Sequence, residues 1–134
     1  MAFVHGRHTE IELDSDDLSE FCTTSQLDQE ADEHDVTGYG KADYVFAGGL
    51  LKGAFSMGGT YDDAATGPKA IIEPLLGTVV TLVRRAEGTG AGKPQESVQV
   101  LVKKYTETNP VAGMITWQCD MTKSGPITRT TQGA

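Results

Sequence analysis

Residues 37–62 read TGYGKADYVFAGGLLKGAFSMGGTYD, and the second half of this stretch decides the fold class. Leu51, Gly53, Phe55, Met57, Gly59 and Tyr61 fall on one face of an extended chain, with Lys52, Ala54, Ser56, Gly58, Thr60 and Asp62 on the other. That is a strand with one buried face. Glycines at 49, 53, 58 and 59 leave little side-chain bulk, which predicts the close passage of another backbone, or a bulge or bend. The first half, together with the charged EADEHD before it, lacks this period. It reads as a long loop over residues 30–49 with a short strand at 44–47.

Upstream, Thr9, Ile11 and Leu13 alternate with acidic residues in a first strand, and residues 14–17 turn the chain. A weakly apolar second strand over 20–29 points Phe21, Thr23, Ser25 and Leu27 inward and Cys22, Thr24, Gln26 and Asp28 outward. Downstream lies the one helix candidate, residues 64–76. Thr66 or Asp63 is placed to cap it, Pro68 suits its first turn, Ile71, Ile72, Leu75 and Leu76 form its apolar stripe, and Gly77 suits its end. Pro74 limits it to about two turns, because a proline there clashes with the preceding turn. Strands over 78–85 and 97–106 follow, joined by AEGTGAGKPQE, with Val80, Leu82, Val98, Val100 and Val102 buried. In the last strand Val111, Gly113, Ile115, Trp117, Cys119 and Met121 share a face, and Trp117 is the expected core anchor. The small, polar ending predicts a frayed tail, or an extended arm over 123–134 that orders on a partner.

These elements describe one domain over 1–134, mainly β, sandwich-like or barrel-like, with one short flanking α-helix. Sixteen glycines, about 12% against a usual ~7%, agree with a turn-rich β architecture. No apolar run approaches the ~18 residues of a membrane span, and MAFVHGRH lacks the apolar core of a signal peptide, so a chain made in the cytosol is expected. Cys22 and Cys119 read as two reduced thiols. The net charge of −8 is uneven: −11 over residues 1–65 and +3 over 66–134. An acidic chain does not wrap nucleic acid by counterion release. The asymmetry suggests instead that the two halves lie at opposite rims and attract successive copies.

Chemistry finds little support. In DSDDLSEFCTTS, Asp14 and Asp16 match the start of a calcium loop, but Leu18 stands where a ligand belongs and Ser25 where a bidentate Glu is needed. GTGAGK resembles a phosphate loop, yet Glu87 replaces its first glycine, Pro94 its Ser or Thr, and no helix follows. His5, His8, His34 and Cys22 match no zinc spacing. No nucleophile elbow is present, and Asp62 with Asp63 reads as the lead-in to the helix. An enzyme is not expected, nor is a cofactor.

Two stretches carry a resemblance to a family. MAFVHGRHTEIELDSDDLSEF is similar in pattern to the start of the major tail tube proteins of tailed bacteriophages, in particular those of siphoviruses infecting actinobacteria. SQLDQEADEHDVTGYGKADYVFAGGLLKGAFSMGGTYD resembles their polar strand, acidic connector, T-x-x-G-K segment and glycine-bearing strand. The likeness covers about residues 3–85; Pro74 departs from an unbroken helix. It implies the phage tail tube fold, with six copies closing a ring whose inner wall is a continuous β-barrel, and rings stacking into the tube through which DNA leaves. It further implies a virion protein assembled in the host cytoplasm, whose partners are itself, a tape-measure protein and other tail proteins. On this resemblance Thr24, Gln26, Asp28, Ser56, Thr60, Gln118 and Asp120 line the lumen, and His5, Arg7, Tyr39, Lys41, Tyr44, Phe46 and Arg129 contact neighbouring subunits. Two other readings stand beside it: a single-ring terminator or adaptor, and a β-sandwich that binds carbohydrate or a receptor through Tyr39, Tyr44 and Phe46.

Overall fold

In a computed structural model, which describes residue 3 and residues 5–133, the alternating stretches become strands of one antiparallel sheet. They are β1 (Glu10–Leu13), β2 (Asp16–Asp17), β3 (Thr24–Asp35), β4 (Phe46–Thr60), β5 (Val79–Arg85), β6 (Pro94–Thr108), β7 (Thr116–Lys123) and β8 (Thr128–Thr131). The order across the sheet is β2-β1-β5-β6-β7-β4-β3, with β8 also on β6. Asp14 and Ser15 both take positive φ, 51° and 70°, as a two-residue hairpin turn between β1 and β2 demands. One helix, α1 (Pro68–Ile72), runs into a 3₁₀ turn at Glu73–Leu75, so Pro74 does curtail it.

The sheet curls. Leu18 N–H donates to Ile11 O on β1 and Thr23 N–H donates to Gly58 O on β4, strands that are four spacings apart in the sheet order. A flat sheet would separate them by about 19 Å. The five residue steps from Leu18 to Thr23 include the 3₁₀ turn Ser19–Phe21 and reach only about 13 Å. The concave interior holds Ile11, Leu13, Leu18, Phe21, Phe55, Met57, Ile72, Leu82, Val98, Val100, Val102, Trp117, Cys119 and Met121. Trp117 is buried as expected and stacks on Tyr105, ring centroids 6.3 Å apart.

Several expectations need correction, the first being the start of the second strand, since residues 19–21 form a 3₁₀ turn and β3 begins at Thr24 rather than at residue 20. Half of the loop expected at 30–49 is strand: β3 runs to Asp35 and β4 begins at Phe46, the two forming a hairpin arm whose connection is residues 36–45. A register shift between Ala31 and Glu33 reverses the alternation there, and neither face is buried, so no period reaches the sequence. The ending is no free arm, since β8 pairs with the start of β6, Pro94 opposite Thr131 through Ser97 opposite Thr128. Residues 111–115 belong to a loop, and Val111 and Met114 are exposed; Pro110 and the turn at residues 111–112 outweigh their alternation. Gly67, rather than Thr66 or Asp63, precedes the first helical residue, and Asp62 accepts the Ala64 N–H at 2.8 Å in the turn before it.

Both cysteines are free, and Cys22 Sγ lies 3.9 Å from Met57 Sδ. Burial, then the charge of Asp17, pushes the Cys22 thiol from 9.0 up to about 11. Burial, then Asp120 and Cys22, pushes Cys119 from 9.0 up to about 12. The folded chain therefore holds more protons than the unfolded chain from about pH 9 to pH 12, and its stability falls as pH rises through that window. At pH 8 a thiol reagent should label the native protein far more slowly than the urea-unfolded chain, because both ionisation and access are suppressed. Equal rates would contradict the burial described.

Candidate assembly surfaces

Directly opposed residues of an antiparallel pair project to the same face. Gln26 lies opposite Ser56, Ser56 opposite Asp120, and Asp120 opposite Lys104. One row along, Thr24, Gly58, Gln118 and Thr106 are aligned. Thr60, Thr116 and Thr108 form a third row, and Asp28 begins a fourth with Ala54 and Thr122. All seven residues expected at a lumen thus share one face across β3, β4 and β7, which continues onto β6. None of the seven is buried. The opposite face carries Leu27, Phe55, Met121 and Val102 into the core.

This polar face contains a repeated pattern. Thr24, Gln26 and Asp28 on β3 match Thr116, Gln118 and Asp120 on β7. In each triad the glutamine amide donates to the following aspartate, Gln26 to Asp28 at 2.9 Å and Gln118 to Asp120 at 3.2 Å. The face is hollowed between Thr24, Gln26, Ser56, Thr60 and Gln118, where Gly58 contributes no side chain. Sequence reading missed Lys104, Thr106, Thr108 and Thr116, which extend the same face; register, not composition, brings them there.

The β3–β4 arm is the second surface. Val36 N–H donates to Val45 O, and Thr37 Oγ1 accepts the Val45 N–H, so pairing continues almost to the tip at residues 38–44. Val36, Tyr39, Tyr44, Val45, Phe46, Leu50 and Leu51 are all exposed along it. Exposed apolar side chains grouped on a projecting element make it a candidate interaction surface. Tyr39, Lys41, Tyr44 and Phe46 are together at or beside the tip. Its shaft is acidic, with Lys52 bridging Glu30 at 3.0 Å and Asp32 at 3.3 Å.

The other expected contact residues stand apart from the arm tip. His5 caps the 3₁₀ turn Gly6–His8 by accepting the Arg7 N–H, and both side chains are exposed. Arg129 on β8 reaches Gln29 and Glu96 at the base of the arm. Gln132, which sequence reading passed over, holds the GTGAGK loop. Its side chain accepts the Gly90 N–H at 3.2 Å and donates to Gly88 O at 2.8 Å, while its carbonyl accepts the Gly92 N–H.

Within the subunit the two charge halves are not kept apart. β1 pairs with β5, Glu12 bridges Arg85 at 3.3 Å, and Arg129 lies against the acidic arm. Antiparallel pairing between the halves interleaves their charge.

No family model and no curated protein sequence matches this chain. Solved structures do. A chain from the virion of a native gene transfer agent particle superposes with a TM-score of 0.80 at 16% identity, covering 96% of this chain and 100% of that one. A chain from the tail of an empty gene transfer agent particle, with C6 symmetry, gives 0.77 at 17% identity with the same coverage. The SPP1 tail tube subunit gives 0.77 at 10% identity over 98% of this chain and 81% of that one. The fold is that of the phage tail tube proteins: a mostly antiparallel sheet with one short helix.

Proposed function

We propose that this chain is a structural virion protein, the subunit of a siphovirus-type tail tube, whose copies close into rings of six that stack into the conduit for DNA ejection. The observation that carries the reading is the division of one curved sheet into a core face and a polar face unbroken across four strands. A ring needs such a wall, since each subunit must keep its own core while presenting a hydrophilic bore. Thr24, Gln26, Asp28, Ser56, Thr60, Gln118 and Asp120 line the lumen on this reading. The arm tip with Tyr39, Lys41, Tyr44 and Phe46 contacts neighbouring subunits, as do His5, Arg7 and Arg129. Tail shafts of the fold neighbours, one of them refined with C6 symmetry, support the ring number. Assembly takes place in the host cytoplasm around a tape-measure protein, and the pattern shared by residues 3–85 supports the actinobacteriophage affinity.

Negative-stain images of the purified chain, with and without a tail tip, test this. Long uniform tubes are expected; single rings would make it a terminator or adaptor, and monomers that bind glycans a receptor module. The lumen assignment has its own test. Carboxylates repel DNA phosphates, whereas lysines would bind them with release of counterions. Tubes of the Asp28→Lys/Asp120→Lys variant should retain duplex DNA at low salt and release it as salt rises, while the parent tubes retain none. Equal behaviour of the two would remove these residues from the bore.

A further inference from the structure

β7 ends at Lys123 while β4 extends back to Phe46, so among the described residues β4 has no strand partner on its β7 side over residues 46–53. A groove of about 350 Å³ opens there between the arm and β8. Ala31, Leu51 and Ile127 supply its apolar lining, Lys52, Lys123 and Arg129 its cations, and Glu30, bridged to Lys52, its carboxylate. Lys52 and Arg129 are already engaged by carboxylates; among the described residues none lies within ion-pair distance of Lys123. Leu51, on the face that becomes core further along β4, is 71% exposed because none of the described residues covers it.

The far end of β4 has complementary character. There the β6–β7 loop, residues 109–115, presents a fully exposed Val111 and a Met114 that is 73% exposed. Tyr61 N–H donates to Ile115 O at 2.8 Å, which fixes the exposed Asp62 and Asp63 beside that loop. One end of the subunit thus offers an apolar knob flanked by carboxylates, and the other an apolar groove with an unpaired lysine. About 30 Å of strand separates Leu51 from Thr60.

We propose that the 109–115 loop of one copy seats in the Leu51–Ile127 groove of the next copy along the tube, with Asp62 and Asp63 facing Lys123. This rests on the tube reading and adds to it the pair of surfaces that stack. A contact between two different patches at opposite ends of one chain does not close on itself, and repeats head to tail. Burial of Val111, Met114 and Leu51 supplies the attraction, and the charges set the register.

Leu51→Cys and Met114→Cys, both at exposed positions and so tolerated by the fold, provide the test. Assembled tubes are treated with a short bismaleimide and run under denaturing conditions. The double variant should give a ladder extending past six chains, co-assembled single variants a dimer, and each single variant alone no product. Tubes that form but give no ladder overturn the docking and leave the tube reading standing. A ladder ending at six places the contact within a ring and overturns the stacking. A chain that forms no tubes under any condition overturns both. Charge exchange is the second measurement: Asp62→Lys/Asp63→Lys should reduce tube yield at least tenfold, and Lys123→Glu in the same chain should restore it. Failure of that restoration in a folded subunit counts against the register assigned here.

Discussion

Replacing Gly59 by alanine is expected to lower the urea midpoint of the subunit by about 1 M or more, or to prevent folding outright. A Cβ at this position would overlap the carbonyl oxygen of Phe21 and stand 3.1 Å from both the Phe21 carbonyl carbon and the Thr23 nitrogen. These are backbone atoms, and they cannot turn aside as a long side chain does. They are also held, since Thr23 N–H donates to Gly58 O and Phe21 fills the core. Relief would require moving the segment that curls the sheet from β1 to β4, at a cost of about 3 kcal/mol or more, a large part of a typical domain's stability. Gly48→Ala, on the same strand with nothing within 4 Å of the added carbon, is the control and should leave the midpoint unchanged. A Gly59→Ala subunit as stable as the parent would mean that Phe21 does not pass where it is described.

The second large effect is on assembly rather than folding. Replacing residues 36–45 by Asn-Gly should leave the subunit's unfolding midpoint within about 0.5 M of the parent, since the removed side chains are exposed and a shorter loop costs less entropy to close. Tube formation should be abolished. The shortened arm lacks Val36, Tyr39, Tyr44 and Val45, and keeps its acidic shaft without the apolar tip that makes contact worthwhile. Tubes of normal length and yield from this variant would remove the arm from the assembly.

How far the sequence carried these conclusions depended on burial. β4 and β7 announced themselves because Phe55, Met57, Trp117, Cys119 and Met121 must enter one core, and a strand with one buried face writes that requirement at every second residue. The polar partners of those residues were legible for the same reason. Along the arm neither face is buried within the subunit, and the shift between Ala31 and Glu33 reverses parity, so strand and loop look alike. Val111 shows the converse error, an alternation continued by chance across a turn. Charge was legible in amount but not in place, because β1 and β5 come from different halves of the chain and lie side by side.

The repeated Thr, Gln, Asp triads carry a geometric consequence. β3 and β7 run in the same direction with β4 between them, and Thr24 stands level with Gln118, so the second triad is displaced by two residues across two strand spacings. That is about 7 Å along for about 10 Å across, an incline of about 36°. Closed barrels whose shear equals their strand number lean their strands by the same angle. On the tube reading, a closed wall that leans in this sense brings like residues from every copy to a common height, and bands the bore in hoops of hydroxyl, of amide, and of carboxylate with Lys104 beside it. The phosphates of duplex DNA climb as a helix past level hoops that share no pitch with them. No point along such a passage holds the duplex better than the next.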